Sequence, residues 1–425
     1  MKSLLDKINV KLNAQGGFLK AVSVLVGGTA FAQLLGLLCL PLLTRLYTPA
    51  DYSILGVYIA IVSTLAVIAC LRFEIAIPIS ETDEEAKGLF YISLLSNISL
   101  TIILYIILYT INPLIQNFQI VKQLSIWIWL VPLGVFLSGM YSVLQYWSTR
   151  KKRFKEIAHT RINQAVLSNS ASLYVGISSG NFFGLILGQL LSFSGGVLKL
   201  IRSTFRDLQS IKSTFSLKEI LFKYQDYPRY SSFESLANIS AVQLPLIIIA
   251  STNIGPEVGY LMLAMKVLGI PMGLIGRAIS QVYLSHAPTY YNNGELYKYT
   301  ISISKKLLKI VIVPFIFLAI TSPYIFDSIF GKQWEGLGSY ILMMIPWFFI
   351  QIISSPVSMA LHIIGLQKLA LKLQIFGLLL RVGVLGLVAI LNSHLVIKYY
   401  ILSGFLFYLV YMIVIFVSIK RNSRA

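Results

Sequence analysis

The sequence alternates between long apolar segments and short connections, and nearly every Lys and Arg lies in every second connection. An apolar run of about 20 residues crosses the hydrocarbon core as a helix, and positive charge collects in the cytoplasmic loops of such proteins. The exceptions in the other connections are Arg45, Lys122, Lys332 and Lys398. The pattern therefore predicts a multi-pass protein of the bacterial inner membrane, with its N-terminus and C-terminus in the cytoplasm.

The segments long enough to span the membrane predict about twelve transmembrane helices. In chain order they are 21–43, 51–71, 88–111, 124–147, 162–179, 181–200, 233–252, 257–284, 307–329, 338–364, 369–391 and 395–418. We expect an all-α polytopic membrane protein with an N-terminal six-helix lobe over 1–205, a cytoplasmic linker over 206–231 and a C-terminal six-helix lobe over 232–425. Within the first lobe, the spacing of Leu4, Ile8 and Leu12 predicts an interfacial helix over 1–18.

Composition excludes several classes of function. The chain is 56% hydrophobic and 12% charged, with a mean hydropathy of +0.77, so no sizeable soluble domain is expected. The net charge of +19 lies beside the spans, which favours anionic membrane lipids as partners and excludes nucleic acid. Two cysteines within spans and four scattered histidines predict no disulfide or metal site. No phosphate-binding loop for ATP occurs, so we expect neither a cofactor nor an enzyme.

A weak internal repeat supports the two lobes. Pro49 and Asp51 follow the first span, while Pro256 and Glu257 follow the seventh. Proline fits the first position of a helix, and an acid in the first turn complements the helix dipole. The first two spans and the seventh and eighth spans would then be equivalent hairpins.

Three cations within predicted spans are the main candidates for substrate binding. Lys266 and Arg277 are eleven residues apart, which places them within about 20° of one face of a regular helix. Arg381 lies midway along the eleventh span. Charge in hydrocarbon is costly, so these groups indicate an anionic ligand in a hydrated cavity. Snorkelling to the interface, or pairing with an acid on another helix, is the alternative explanation.

The remaining candidates have simpler structural explanations. Arg45 and Arg72 lie at span ends, where they either anchor the interface or line a cavity mouth. Gln33, Asn238 and Gln243 are polar positions within spans, which either contact substrate or bond between helices.

Two helix starts and four aromatic residues give further local predictions. Thr82 with Glu85 and Ser216 with Glu219 have the spacing of capping boxes. Trp127, Trp129, Trp334 and Trp347 lie near outer ends of spans, which predicts interfacial belts.

Three stretches resemble the polysaccharide-flippase (Wzx-type) branch of the multidrug/oligosaccharidyl-lipid/polysaccharide exporter superfamily. They are Leu43-Thr44-Arg45-Leu46-Tyr47-Thr48-Pro49-Ala50-Asp51-Tyr52 leading to Leu71-Arg72-Phe73-Glu74-Ile75-Ala76-Ile77-Pro78, then Gly255-Pro256-Glu257 with Met265-Lys266-Val267-Leu268-Gly269-Ile270-Pro271 and Ile279-Ser280-Gln281-Val282, and finally Phe330-Gly331-Lys332-Gln333-Trp334. The resemblance implies two six-helix bundles around a central cleft lined by spans 1, 2, 7 and 8. By similarity, Lys266 occupies a commonly basic position, whereas Arg277 departs from the pattern.

The resemblance and the intramembrane cations together predict a flippase without enzymatic activity. It would move an undecaprenyl-diphosphate-linked oligosaccharide, an O-antigen or capsule repeat unit, from the cytoplasmic to the outer leaflet by alternating access. Polymerase and chain-length components of glycan assembly are further candidate partners. The alternatives are a cation-coupled multidrug exporter of the same superfamily and a membrane enzyme of glycan assembly such as a polymerase.

Overall fold

The computed structural model describes residues 18–115, 122, 124–211, 216–252, 256–391 and 395–422, and within these ranges the regular elements are helices. The predicted interfacial helix over 1–18 therefore lies outside the described residues except for Phe18. The α-helices are α1 Phe18–Leu46, α2 Pro49–Ala66, α3 Asp83–Ile115, α4 Val131–Arg150, α5 Phe154–Ser179, α6 Phe183–Ser194, α7 Val197–Ser210, α8 Leu217–Lys223, α9 Ser232–Ser251, α10 Glu257–Pro271, α11 Arg277–Asn292, α12 Leu296–Phe330, α13 Leu337–Val357, α14 Ala360–Ile363, α15 Gln367–Leu378, α16 Val384–Leu391 and α17 Val396–Asn422.

Shorter elements connect or interrupt these helices. Turns of 3₁₀-helix occupy Phe73–Ile79, Ser125–Leu130 and Lys332–Trp334, and π-helical turns occupy Tyr227–Ser231, Met272–Gly276 and Leu379–Gly383. Single π-helical turns inside α-helices occur frequently at functional sites. Two of these turns, Met272–Gly276 and Leu379–Gly383, line the cavity described below.

Ten helices in the described ranges are long and apolar enough to cross a membrane. They are Gly27–Leu46, Pro49–Ala66, Asp83–Ile111, Ser125–Arg150, Phe183–Ser210, Tyr227–Ser251, Leu296–Phe326, Leu337–Val357, Lys368–Leu391 and Val396–Asn422. The predicted spans 162–179 and 257–284 are helical but are not among these ten. Asn163, Gln164 and Asn169 lower the hydropathy of the first of them. The prediction of an all-α, multi-pass membrane protein is confirmed.

The chain divides into two compact units. The first unit combines Met1–Leu43, in its described part, with Ile61–Leu236, and the second combines Thr44–Ala60 with Ala237–Ala425. The helices α7 and α8, which lie around the predicted linker 206–231, fall within the range of the first unit. The predicted lobe boundaries and linker stay a prediction.

Hydrogen bonds cap two of the helices at the starts that the sequence predicts. Pro49 is the first residue of α2, and Thr48 and Asp51 bond reciprocally, since Thr48 N donates to Asp51 Oδ2 at 2.8 Å and Asp51 N donates to Thr48 Oγ1 at 3.2 Å. Ser216 caps α8 by accepting from Lys218 N at 3.3 Å, so the predicted helix start is confirmed. These bonds satisfy amide groups that the first helical turn leaves without partners.

The belt prediction is wrong for two tryptophans. Trp334 is 0% exposed and Trp347 is 3% exposed, so both lie inside the protein. The indole N–H of Trp334 donates to the carbonyl of Thr44 at 2.8 Å within the second unit. A buried Trp with a hydrogen-bonded indole is a packing residue, whereas an interfacial Trp keeps its polar edge at the headgroups.

Candidate functional site

The second unit contains a cavity of about 600 Å³. Helices α9, α10 and α13 and the two π-helical turns contribute most of its wall, and α11 and α17 complete it. The lining residues are Val242, Met265, Gly269, Met272, Gly273, Gly276, Ser280, Trp347, Phe348, Gln351, Ile352, Ser355, Pro356, Arg381 and Tyr408. The wall thus combines aromatic rings and apolar side chains with a few polar groups, which is typical of small-molecule sites.

Arg381 is the charged residue of this cavity. It lies in the π-helical turn Leu379–Gly383 and is 3% exposed. Three rings surround its guanidinium carbon, at 5.3 Å for Trp347, 4.9 Å for Phe407 and 5.5 Å for Tyr408. Aromatic faces attract a cation and limit its movement without using its N–H groups. In the described part of the chain, Arg381 forms no ion pair with a carboxylate.

Four buried polar atoms on this wall lack a hydrogen-bond partner within the described residues. They are Nε and Nη2 of Arg381, Nε1 of Trp347 and Oε1 of Gln351. An unsatisfied buried donor or acceptor costs about 1–3 kcal/mol, and more when it is charged. Such groups are exceptional in folded proteins, so four of them on one cavity mark a place where a ligand would complete the bonding.

Two glycines on the cavity wall have free space where a side chain would begin. A Cβ atom added to Gly269 or Gly276 would meet nothing within 4 Å, although Gly276 is buried. Both residues line the cavity, so the space in front of them is part of it. Close packing therefore does not require glycine at these positions. A larger side chain there would instead occupy space in the cavity.

Among the predicted binding residues whose side chains the structure describes, Arg381 is the one that lines this cavity. Lys266 lies on α10 next to the lining residue Met265, and its side chain is exposed. Arg277 begins α11, and its side chain lies outside the described part of the structure. The π-helical turn Met272–Gly276 separates the two residues. The constant step of a regular helix therefore does not connect them, and the shared face inferred from the sequence is not supported.

The other predicted residues are distributed over both units. Arg45 and Asn238 are exposed, and Gln243 is half-buried, all three within the range of the second unit. Gln33, in the range of the first unit, is half-buried, and its buried Oε1 has no hydrogen-bond partner in the described residues. Their contact with substrate stays a prediction.

Arg72 lies beside a buried carboxyl group in the first unit. Its backbone is left-handed, with φ at 63°, and its Nη1 lies 3.6 Å from Oε1 of Glu74. Glu74 is 3% exposed. Burial raises the pKa of the Glu74 carboxyl above its ordinary value, while its own backbone amide and the Arg72 charge act in the opposite direction.

The stretches 44–52 and 330–334, with Ser53 and Gly259 beside the quoted motifs, contribute to one structural junction in the second unit. Trp334 packs edge-on against Tyr52 with ring centroids 5.1 Å apart, and the Gln333 side chain donates to the carbonyls of Thr44 and Tyr47. Gly259 N donates to Ser53 Oγ at 2.8 Å. These contacts hold the C-terminal end of α1 and the N-terminal ends of α2 and α10 together, so much of the motif sequence has a packing role.

Sequence reasoning missed the partners of Arg381. The sequence predicts an interfacial belt position for Trp347 and gives no signal for Tyr408. The useful clue was Gln351 followed by Ser354 and Ser355 in an otherwise apolar span, since polar groups within a span face protein or water.

Comparison with known proteins identifies the family of the chain. The family model described as "Polysaccharide biosynthesis protein" matches residues 42–338. A comparison with curated protein sequences gives no match.

Solved structures share the fold at low sequence identity. The lipid II flippase MurJ in an inward closed conformation is 14% identical, with a TM-score of 0.71 over 94% of this chain and 90% of that chain. An inward-facing multidrug resistance MATE family transporter of the MOP superfamily is 17% identical, with a TM-score of 0.67 over 92% of this chain and 96% of that chain. A MOP superfamily transporter from Pyrococcus furiosus, whose binding pocket has reversed polarity, is 14% identical, with a TM-score of 0.61 over 95% of this chain and 98% of that chain. The chain has the fold of these transporters, and it belongs to the family of polysaccharide biosynthesis proteins.

Proposed function

We propose that this protein flips a polyprenyl-diphosphate-linked oligosaccharide across the bacterial inner membrane. The observation that supports the proposal most is the combination of a polysaccharide biosynthesis family match over 42–338 with a transporter fold. In a protein of polysaccharide biosynthesis, a transporter fold suits the movement of a membrane-bound glycan intermediate across the bilayer. The proposed substrate is an undecaprenyl-diphosphate-linked O-antigen or capsule repeat unit.

The polar groups of the proposed substrate require a hydrated path across the membrane. Sugars and phosphates left without hydrogen bonds in hydrocarbon would cost several kcal/mol per group. In the proposed mechanism the glycan crosses through a hydrated path that opens to one side at a time, while the polyprenyl tail stays in lipid. Lys266, Arg277 and Arg381 attract the anionic groups, and Arg45, Arg72, Gln33, Asn238 and Gln243 are secondary candidates. The positive charge in alternate connections supports a cytoplasmic location for both termini as part of this proposal.

A cation-coupled multidrug exporter is the less favoured function. An organic cation would be repelled by the buried guanidinium of Arg381, which forms no ion pair with an acid in the described ranges. A glycan polymerase is also disfavoured, because the neighbours by fold are transporters.

Depletion of the protein tests the proposed function. We expect undecaprenyl-linked oligosaccharide to accumulate in the cytoplasmic leaflet, as measured by mass spectrometry combined with leaflet-resolved labelling, and surface glycan to fall. Accumulation of translocated but unpolymerised units would indicate a polymerase instead. Altered drug efflux with normal glycan would indicate an exporter of drugs.

A double variant tests the role of the two cations. Lys266→Gln with Arg277→Gln, confirmed as membrane-inserted, should lower translocation at least about tenfold, since one lost charge interaction of about 1.4 kcal/mol corresponds to that factor. Unchanged translocation would remove both residues from the mechanism.

A further inference from the structure

The unpaired nitrogen atoms of Arg381 form one functional edge. Nε–H and the adjacent Nη2–H point to the same side of a guanidinium plane, and together they form the fork that binds two oxygens of one carboxylate or phosphate. Both nitrogens lack a partner in the described structure, and the rings of Trp347, Phe407 and Tyr408 lie around the guanidinium carbon at 4.9–5.5 Å. The aromatic rings thus orient the cation and leave its two-pronged edge unused.

Two further unpaired atoms belong to residues that line the same cavity. Trp347 offers an indole N–H donor and Gln351 offers an amide oxygen acceptor, and both residues line the same cavity. Hydroxyl groups both donate and accept, so a sugar can satisfy the two atoms together. Aromatic and apolar side chains form the rest of the wall, and their surfaces suit the C–H faces of a sugar ring. A simple inorganic anion would leave the Gln351 oxygen without a donor.

We infer that this cavity is an oxyanion-binding site for the glycan end of the substrate. Arg381 binds a carboxylate or phosphate oxygen pair, while Trp347 and Gln351 bond to hydroxyl groups beside it. The inference rests on the proposed function, because it takes the occupant to be part of the translocated glycolipid. The oxyanion comes either from an acidic sugar or from the diphosphate, and the experiment below separates these sources.

The conformation described here holds the site closed. The four unpaired atoms have almost no water-accessible surface, so the occupant reaches them when the lining side chains shift. A transporter that alternates between conformations undergoes such shifts in each cycle. Because the buried guanidinium has no carboxylate partner in the described ranges, an arriving oxyanion meets a positive charge that no acidic side chain there compensates.

The test is ligand binding to the purified full chain in lipid nanodiscs. Glucuronic acid is the probe, glucose is its neutral match, and inorganic pyrophosphate represents the carrier. Binding is measured by calorimetry and by the rise in the thermal unfolding temperature that a bound ligand produces. We expect glucuronic acid to bind and glucose to bind at least about tenfold more weakly, since the charge-assisted bonds are then missing.

Two kinds of variant locate the site. Arg381→Lys keeps the charge but loses the two-pronged edge, so it should weaken oxyanion binding about tenfold or more. Gly269→Leu fills the cavity while Arg381 stays in place, and it should abolish binding. Gly386→Leu is the matched control, because a Cβ atom there also meets nothing within 4 Å and Gly386 does not line the cavity.

Each outcome has a defined meaning. Pyrophosphate binding that depends on Arg381, without glucuronic acid binding, would support the oxyanion site and assign the phosphate source. The inference is overturned if neither probe binds, or if Arg381→Lys and Gly269→Leu bind like the wild type. A protein that translocates the lipid-linked glycan yet binds neither probe overturns this inference alone. Binding at Arg381 together with unchanged leaflet distribution after depletion overturns the proposed function instead.

Discussion

At the scale of single residues, Glu74 shows how burial changes the chemistry of a connection between spans. The carboxyl lies in the 3₁₀-helix Phe73–Ile79, and burial raises its pKa. The folded protein therefore holds the proton more tightly than the unfolded chain does. Stability is highest below the pKa of the unfolded chain and falls as pH rises through the raised pKa of the folded state, because the charged form is penalised by burial.

Glu74→Gln should remove this pH dependence. We expect the thermal unfolding temperature of the wild type, relative to that of the variant, to fall as pH rises from about 4 to about 8, since only the wild type must ionise a buried group. Differential scanning fluorimetry across this pH range measures the difference. Glu219→Gln alters an exposed carboxyl on α8 and serves as the control. A difference between wild type and Glu74→Gln that stays constant with pH would show that Glu74 does not titrate in this range.

At the scale of elements, the short helix α8 is held against the start of α3 within the first unit. Lys223 Nζ lies 2.6 Å from Glu85 Oε1 and 3.2 Å from Glu81 Oε2, and the Tyr224 hydroxyl donates to Glu85 Oε2 at 2.8 Å. The hydrogen bond to Glu85 is the largest cause of a raised pKa at Lys223, which keeps this lysine charged. Desolvation and the Glu85 carboxylate raise the pKa of Tyr224 to about 12.

Close packing accompanies these polar bonds. Ile220, on the buried face of α8, lies so near Gly88 that a Cβ atom added to Gly88 would overlap Ile220 Cδ1. The predicted capping box at Thr82 is confirmed in one direction, because Glu85 N donates to Thr82 Oγ1 at 3.2 Å. The Glu85 side chain bonds to Lys223 and Tyr224, so it connects two elements.

Gly88→Ala should loosen α8, and a second substitution should restore it. Gly88→Ala is expected to lower stability by about 1–3 kcal/mol through overpacking. Ile220→Val removes the overlapping Cδ1 atom, so the double variant should regain most of that loss, which a double-mutant cycle in thermal unfolding measures. Gly386→Ala, with open space at its Cβ position, is the matched glycine control. Strictly additive effects of Gly88→Ala and Ile220→Val would contradict the contact.

At the scale of the whole molecule, the charge pattern predicts the orientation in the membrane. Single cysteines are introduced at the exposed residues Lys155, Asn181, Asn293 and Glu335, in a background without Cys39 and Cys70. An impermeant maleimide should label Asn181→Cys and Glu335→Cys in spheroplasts, and the other two only after permeabilisation, because the positive connections face the cytoplasm. The reverse labelling pattern would invert the topology.

Much of the fold could be predicted from the sequence. Membrane-spanning helices can be recognised in the sequence as apolar runs of about 20 residues. In lipid every backbone polar group must be bonded within the structure, and a helix achieves this within one segment. The helix starts at Pro49 and Ser216 were predictable for the same local reason, since a cap involves residues only two or three positions apart. The segment that contains Asn163, Gln164 and Asn169 has a weaker apolar signal, because polar residues lower its mean hydropathy.

The candidate site, too, could be predicted from the sequence only in part. The sequence by itself determined that Arg381 stands in an apolar segment, and the cost of charge in hydrocarbon made it a candidate. Only the tertiary structure decided that Trp347, Phe407 and Tyr408 surround it and that Gln351 lines the same cavity. It also decided that two π-helical turns contribute to the cavity wall and that the stretch ending in Trp334 packs against α1 and α2. The physical reason is range: hydropathy and capping are summed along the chain, whereas a cavity and its unpaired atoms arise from side chains on helices distant in sequence, whose packing no single segment encodes.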